Sequence, residues 1–314
     1  VIGSIAELKK LGGKAPKSLH KPWIDEVSFK CNECKTGKMH RIPDISDVWL
    51  DAGCASWNSL YFPQTDKYMK KYWPCDFILE GKEQIRGWFN LLFDAAGVTK
   101  LGLPFKNCYM TGWINDAQGR KMSKSLGNVI DPYEAVGKYG ADAVRYYMMG
   151  SANPGVDMNY NFNDLQIKYR NLGIYWNLTG FFLDFVSNNK IKEFREKPEL
   201  GTAEKYLLSR SNSTLKKVTE LFDEYRLNEI PQEIENLILD FSRTYIQTVR
   251  EKSTSGSPKE KYAIAYSMYQ TLMQLTKMFA PIVPFITEEM YSKLKKKFAF
   301  KEESIHSVSY THLR

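Results

Sequence analysis

The amino-acid sequence predicts an α/β region followed by an all-α region. Between about residues 46 and 150, apolar strand candidates alternate with helix-like segments, an order typical of a parallel α/β sheet. From about residue 163 onward, apolar residues recur at steps of three and four, which is the spacing of helices that bury one face. Residues 1 to about 45 are rich in Lys, Gly and Pro and show no large core of their own.

The α/β prediction rests on two short strands with a helix between them. Cys75–Leu79 and Asn107–Ile114 are the strand candidates, and Arg86–Val98 is the helix candidate. Residues 115–119 have the composition of a turn. Beyond this turn the sequence predicts two further helices, Pro132–Tyr139 and Ala141–Met149.

The all-α prediction is clearest in one stripe of eight residues at helical spacing: Ile230, Ile234, Leu237, Ile238, Phe241, Tyr245, Ile246 and Val249. Further helices are predicted at Leu165–Val186, Ala203–Phe222 and Tyr262–Thr276. We expect a loop at Ser253–Pro258 and, after two prolines, a helix that begins at Thr287. Short connections between helices of this length predict a helical bundle.

Composition restricts the class of protein and its partners. The 314 residues suffice for about two domains, and no apolar run reaches the ~20 residues that span a bilayer, so we expect no membrane partner. A net charge of +8 favours a polyanionic partner, because neutralised phosphates release counterions. An odd count of five cysteines does not suit a disulfide framework and favours the reducing cytoplasm.

Cys31 and Cys34 have the spacing of half a zinc knuckle. His40, Cys54 and Cys75 are candidates for the remaining ligands, but their spacing is not diagnostic. Three interpretations stay open: a bound Zn²⁺, two free thiols, or a metal site that this protein has lost.

The strongest motif is the pentapeptide Lys121–Ser125, of sequence Lys-Met-Ser-Lys-Ser. It follows a predicted strand and turn, at the edge of an α/β sheet where ligands bind. Lys121 and Lys124 are three residues apart and can face the same way, so their ammonium groups could neutralise a triphosphate. Ser123 and Ser125 are small and can form hydroxyl hydrogen bonds. The alternative is a solvated basic loop.

A second motif lies at the predicted strand-to-helix junction, where backbone N–H groups and the helix dipole favour anions. Glu80 and Gln84 could bind ribose hydroxyls and an α-ammonium group. Gly81 would let the backbone approach a ligand closely. The alternative is an ordinary helix start, where acidic residues are common without any ligand.

These motifs resemble known sequences. Lys121–Ser125 resembles the signature of class I aminoacyl-tRNA synthetases, and Leu79–Phe89 resembles a segment of the isoleucyl-tRNA synthetases. Three further segments resemble the same family: Asp47–Cys54, Tyr139–Arg145 and Ala280–Glu289. The resemblance implies the second half of a Rossmann-like catalytic domain followed by an α-helical anticodon-binding bundle.

The family's reaction would be ATP-dependent activation of isoleucine and its transfer to tRNA. The resemblance implies a catalytic role for Lys121 and Lys124, and ATP binding by Lys121, Ser123, Lys124 and Ser125. It implies that the aminoacyl-adenylate binds to Glu80, Gly81, Glu83 and Gln84. Two residues depart from the family pattern, because Glu83 stands where Asp is usual and Ile85 where a polar residue is usual.

The resemblance also implies partners: isoleucine and ATP as substrates, Mg²⁺ with the ATP, and isoleucine-accepting tRNA. Zn²⁺ is a further candidate, which rests only on the spacing of Cys31 and Cys34. We expect a monomer. Lys168, Arg170, Arg243 and Arg250 are candidates for tRNA contact, whereas Tyr245 could stack a base or pack in the core. Trp49 and Leu50 are expected in the core. The alternatives are a non-catalytic tRNA-binding paralogue and a valyl- or leucyl-type synthetase.

The chain lacks an initiator Met and the family's His-x-Gly-His element, so we expect an internal fragment that is inactive by itself. The expected divisions are 1–45, the tail of an editing insertion; 46–162, the half catalytic domain; and 163–303, the anticodon-binding bundle. The remaining residues, 304–314, are expected to be an artefactual tail, because Val308–Leu313 resembles a translated adaptor sequence.

Overall fold

A computed structural model describes residues 2–12 and 14–307. The chain divides into two compact units. The first comprises Val1–Cys75 with Ile85–Pro104, and the second comprises Asp76–Gln84 with Phe105–Arg314. None of the helices within the described residues is both long and apolar enough to cross a membrane.

The first unit contains a small antiparallel hairpin and short helices. The loop from Cys31 to Gly37 lies between the two hairpin strands, with Phe29 opposite Met39. This confirms the predicted knuckle between short strands. The elements are α1 (Ile5–Gly12), β1 (Ser28–Lys30), β2 (Lys38–His40), α2 (Val48–Gly53), α3 (Ala55–Asn58), α4 (Met69–Tyr72) and α5 (Trp88–Thr99).

The core of the first unit is small, and it does not include the two residues expected there. Trp57, Met69 and Ala96 are buried together, whereas Trp49 and Leu50 are exposed. The expectation for Trp49 and Leu50 was wrong because α2 packs on α5 through its glycine face. A Cβ on Gly53 would lie 2.8 Å from the carbonyl oxygen of Leu91, so this face admits no larger side chain.

The second unit begins with short strands and two helices. β3 is hydrogen-bonded to β4, and β5 pairs in parallel with β6, placing Ile114 opposite Met158. The elements are β3 (Cys75–Gly81), β4 (Phe105–Thr111), β5 (Ile114–Asn115), α6 (Pro132–Tyr139), α7 (Ala141–Gly150) and β6 (Met158–Asn159). The predicted helices are therefore present, and the second predicted strand is interrupted before Ile114.

The rest of the second unit is a helical bundle. The predicted eight-residue stripe lies in its core, with only Ile246 partly exposed. A π-helical turn, Asp240–Tyr245, interrupts that stripe. The helices are α8 (Phe162–Asn188), α9 (Thr202–Asp223), α10 (Ile230–Leu239), α11 (Ile246–Thr248), α12 (Arg250–Ser255), α13 (Pro258–Phe279) and α14 (Pro284–Phe298). The prediction of an α/β region followed by an all-α region is confirmed.

The predicted loop at Ser253–Pro258 is shorter than expected, because α12 continues to Ser255. The Ser253 and Thr254 hydroxyls donate to the carbonyl oxygen of Arg250. The Ser255 hydroxyl donates to the carbonyl oxygen of Glu251. Hydroxyl groups that bond back to the preceding turn remain compatible with a helix.

The start of α14 also differs from the prediction, since it begins at Pro284 and not at Thr287. The Asp142 carboxylate of α7 accepts hydrogen bonds from the backbone N–H groups of Phe285, at 3.3 Å, and Ile286, at 2.6 Å. Free N–H groups at a helix start need such acceptors. A side chain from a distant helix therefore sets this boundary.

The predicted tail at 304–314 begins in a packed segment. Ile305 is buried against Ala280 and Tyr291, and its backbone N–H donates to Glu288 at 3.1 Å. Residues 304–307 thus pack on the bundle. Residues 308–314, which include the adaptor-like segment, lie outside the described residues.

Candidate functional site

The pentapeptide follows a tight hairpin. β5 leads into a turn, and Lys121 returns to form an antiparallel bridge with Asn115. The Asp116 N–H donates to the carbonyl oxygen of Arg120 at 2.9 Å, and Gly119 donates to that of Asp116 at 2.9 Å. Gly119 has a φ of +77°, a backbone conformation that favours glycine. The hydrogen bonds of this hairpin therefore fix the backbone at the start of the pentapeptide.

The two lysines of the pentapeptide lie on different pieces of backbone. Lys121 is in the bridge, with its Nζ 5.7 Å from the centre of the Trp113 ring, whereas Lys124 opens a short 3₁₀ turn. Both side chains are exposed. Met122, between them, packs against the core of the bundle. The lysines do not share one helical face, but both ammonium groups remain accessible to an anion.

The two serines of the pentapeptide organise the 3₁₀ turn. The Ser123 Oγ accepts a hydrogen bond from the N–H of Leu126 at 3.3 Å and lies 3.2 Å from the Ser125 Oγ. Ser125 is exposed. The hydroxyl of Ser123 thus caps the turn, which is a local role that the sequence analysis did not assign to it.

The second motif lies at the end of β3. Glu80 and Glu83 are exposed, and Gln84 is half-buried. A Cβ on Gly81 would lie 2.3 Å from a carboxylate oxygen of Glu83. The carboxylate of Glu83 therefore covers the face of Gly81 that the sequence analysis assigned to a ligand, and a ligand can reach that face only after Glu83 moves.

One carboxylate connects the two motifs. The Asp157 Oδ1 accepts from the Nζ of Lys82 at 2.6 Å and from the backbone N–H of Trp113 at 2.7 Å. The Lys82 ammonium and this N–H hold the pKa of Asp157 below its usual value. Sequence reasoning missed Asp157 because it lies 44 residues from Trp113 and has no local pattern of its own.

Asp116 and Asn128, on either side of the pentapeptide, are two further residues that sequence reasoning missed. The Asp116 Oδ2 accepts from the Nδ2 of Asn128 at 2.9 Å and from the Nε of Arg120 at 2.8 Å. The hydrogen bond from Asn128 is the main reason that the pKa of Asp116 is lowered to about 2. An acidic residue in a turn, with an amide residue shortly after the pentapeptide, is a signal that could have identified them.

Cys31 and Cys34 lie in the hairpin loop without further candidate metal ligands grouped around them in the described residues. Cys34 is exposed, and its Sγ accepts from the N–H of Gly37 at 3.2 Å, which is the main cause that lowers the pKa of Cys34 to about 7. Among residues 2–12 and 14–307, no group of three or more His, Cys, Asp or Glu side chains is placed to hold a metal. The described residues do not provide the four ligands of a structural zinc site.

The bundle positions proposed for tRNA contact fall into two groups. Arg170, Arg243 and Arg250 are exposed. Lys168 instead forms a largely buried ion pair with Glu235 at 2.5 Å, and Tyr245 lies in the core. These last two are therefore structural, because an ion-paired lysine and a buried ring are not available to nucleic acid.

Two family profiles match the chain. The profile described as tRNA synthetases class I (I, L, M and V) matches residues 3–161, about half of the chain. The chain belongs to this family. The profile described as the anticodon-binding domain of tRNA ligase matches residues 204–313. This class I synthetase chain therefore joins a catalytic-type segment to an anticodon-binding-type bundle.

Curated relatives of this synthetase chain share one name. The isoleucine–tRNA ligase of Methanosarcina mazei is 37% identical over 98% of this chain and 30% of its own length. That of Methanopyrus kandleri is 37% identical over 93% of this chain and 29% of its own length. The chain thus spans less than a third of these relatives.

Solved structures show the same fold. A ternary complex of Agrobacterium radiobacter LeuRS, tRNA and LeuAMS aligns with a TM-score of 0.66 and 26% identity, covering 86% of this chain and 33% of that one. The Mycobacterium tuberculosis methionyl-tRNA synthetase in complex with methionyl-adenylate aligns with a TM-score of 0.67 and 22% identity, covering 85% of this chain and 55% of that one.

Proposed function

We propose that this chain is part of an isoleucine–tRNA ligase, which activates isoleucine with ATP and transfers it to tRNA. The observation that carries the proposal is the 37% identity to isoleucine–tRNA ligases across almost the whole chain. The accessible ammonium groups of Lys121 and Lys124 on an anchored loop support it. The chain contributes a phosphate-binding loop and a tRNA-binding bundle.

In the proposed reaction, Lys121 and Lys124 bind the phosphates of ATP, which carries Mg²⁺ as part of the substrate. Attack of the isoleucine carboxylate on the α-phosphate expels pyrophosphate, and the two ammonium groups stabilise the charge that builds on the phosphates. Ser123 and Ser125 line the same loop. The adenylate would lie at the end of β3, against Glu80, Gly81 and Gln84, with Glu83 displaced from Gly81.

The bundle is the proposed site of tRNA binding. Arg170, Arg243 and Arg250 offer exposed guanidinium groups, which bind phosphates well, and the LeuRS relative was solved with tRNA. We propose that residues 46–162 form the catalytic part and that residues 163–303 form the tRNA-binding part. We further propose that the protein is a cytoplasmic monomer.

The test is isoleucine-dependent exchange of pyrophosphate into ATP by the longer protein that contains this chain. Lys124→Ala should lower kcat by about a hundredfold, because the lost charge acts mainly in the transition state. Lys138→Ala removes an exposed lysine on α6 and serves as the matched control with unchanged activity. Faster exchange with valine or leucine than with isoleucine would refute the proposed specificity. Binding of tRNA without any exchange would indicate a non-catalytic paralogue.

A further inference from the structure

The loop between Lys121 and Asn128 is held at its two ends by one pair of polar side chains. The Asn128 Oδ1 accepts from the backbone N–H of Ser123 at 2.9 Å, and its Nδ2 donates to the carbonyl oxygen of Lys121 at 3.2 Å. The same Nδ2 donates to Asp116 at 2.9 Å. Asn128 therefore ties the start of the loop to the residue that follows its 3₁₀ turn.

Asp116 in turn ties Asn128 to the hairpin. Its Oδ1 accepts from the backbone N–H groups of Gln118, at 3.0 Å, and Arg120, at 2.8 Å, and its Oδ2 accepts from Arg120 Nε and from Asn128. The side chain of Asp116 is only 8% exposed. With its pKa lowered to about 2, it is charged at neutral pH, so these are charge-assisted bonds, which are stronger than neutral ones.

The rest of the loop has few other anchors among the described residues. Met122 packs on the bundle core, and the hydroxyl of Ser123 bonds only within the loop, to Ser125 and to the N–H of Leu126. Lys124 itself makes no side-chain ion pair in the described part of the chain. The path that carries Lys124 therefore depends on the bonds of Asn128.

We infer that Asp116 and Asn128 are positioning residues that anchor the base of the loop Lys121–Ser125, by fixing the backbone of Lys121 and Ser123 to the hairpin. Neither side chain needs to touch a substrate. The kinetic part of this inference rests on the proposed function, whereas the restraint on the loop does not. Without this anchor, the backbone that carries the lysines would have more conformations to lose before each reaction, and the cost would appear in the rate of the step that needs the lysines.

The kinetic experiment uses the longer protein that contains this chain and compares Asp116→Ala, Asn128→Ala and the double variant in isoleucine-dependent pyrophosphate exchange. We expect each single variant to lower kcat about ten- to a hundredfold, the effect of losing a hydrogen bond to a charged group, with the KM for isoleucine unchanged. Because the pair acts as a unit, the double variant should be no slower than the slower single variant. Asp116→Asn, which keeps one acceptor, should lose less.

Asp131→Ala is the matched control. Asp131 lies three residues beyond Asn128 and caps α6, because its carboxylate accepts from the N–H of Tyr133 at 2.8 Å and so serves the helix and not the loop. This variant should retain the parent kcat. Independent effects of the two single variants that multiply in the double variant would overturn the inference, as would a parent-like kcat in all of them.

Limited trypsin digestion of the same proteins tests the restraint without using activity, because trypsin cleaves after Arg120, Lys121 and Lys124. We expect cleavage there to become about tenfold faster or more in Asp116→Ala and Asn128→Ala, but not in Asp131→Ala. Should Asp116→Ala fail to fold, Asn128→Ala, altered at a partly exposed position, decides the test. Faster cleavage in a protein with no exchange activity would refute the proposed function and keep the restraint, whereas parent-like cleavage would refute the restraint.

Discussion

The helical bundle and the loop that carries Lys121 and Lys124 are held in place by different forces. In the bundle, Ile234, Leu237 and Phe241 are fully buried in one continuous apolar core, so stability is spread over many contacts. The loop has Met122 as its apolar anchor and otherwise depends on a few hydrogen bonds. Substitutions in the bundle should therefore change the free energy of unfolding, and substitutions near the loop should mainly change its conformation.

Between these extremes lies the junction of α7 with α14, which is polar and partly buried. Asp142 accepts from the first N–H groups of α14, and Arg145 donates to the carbonyl oxygens of Pro281, at 3.0 Å, and Ile282, at 2.8 Å. Two segments that resemble the same synthetase family in sequence thus bind each other. Their pairing gives a structural reason for both motifs.

The largest expected effect is in the apolar core. Phe241→Ala should lower the free energy of unfolding by about 3–5 kcal/mol, because it removes a fully buried ring and leaves a cavity. Urea denaturation followed by circular dichroism would measure it. Phe285→Ala, at a position 68% exposed, is the matched control and should change stability by less than about 0.5 kcal/mol. Equal effects of the two variants would contradict the comparison.

A smaller effect is expected at the junction. Asp142→Ala should cost about 1–2 kcal/mol, the usual contribution of a helix cap, because the N–H groups of Phe285 and Ile286 lose their acceptor. Hydrogen exchange at these two amides should accelerate, while that in α10 should change little. Asp142→Asn, which keeps one acceptor oxygen, should be milder. An unchanged exchange rate at Ile286 would mean that the cap does not hold α14.

The smallest effect on the fold as a whole is expected from acid titration of Asp116, because it acts on the loop and not on the core. Its pKa is about 2 in the folded chain and about 4 when unrestrained. Between these values the released loop binds more protons than the restrained one, so the restraint is fully present above about pH 4 and is lost as the pH falls toward 2. NMR shifts of the Ser123 and Arg120 amides would follow this loss. Asp116→Asn should remove the transition, and a transition that persists in that variant would assign it to another group.

The local pattern of the sequence predicted most of the fold. The stripe from Ile230 to Val249 determined a buried helical face, because steps of three and four bring side chains together whatever lies opposite. Cys31 and Cys34 were placed correctly between two short strands. For the candidate site, the sequence identified the segments at 80–84 and 121–125, although the binding roles of their residues remain predictions.

Only the tertiary structure decided which of these side chains are available and what holds them. By its place in the sequence Lys168 could be a surface cation, but it is paired with Glu235, 67 residues away. Asp157 accepts a hydrogen bond from Trp113, 44 residues away. Helix periodicity and turn composition depend on neighbours within a few residues, so the sequence determined them. Ion pairs, caps and exposure depend on which distant backbone the fold brings within about 3 Å, and no local pattern records that distance.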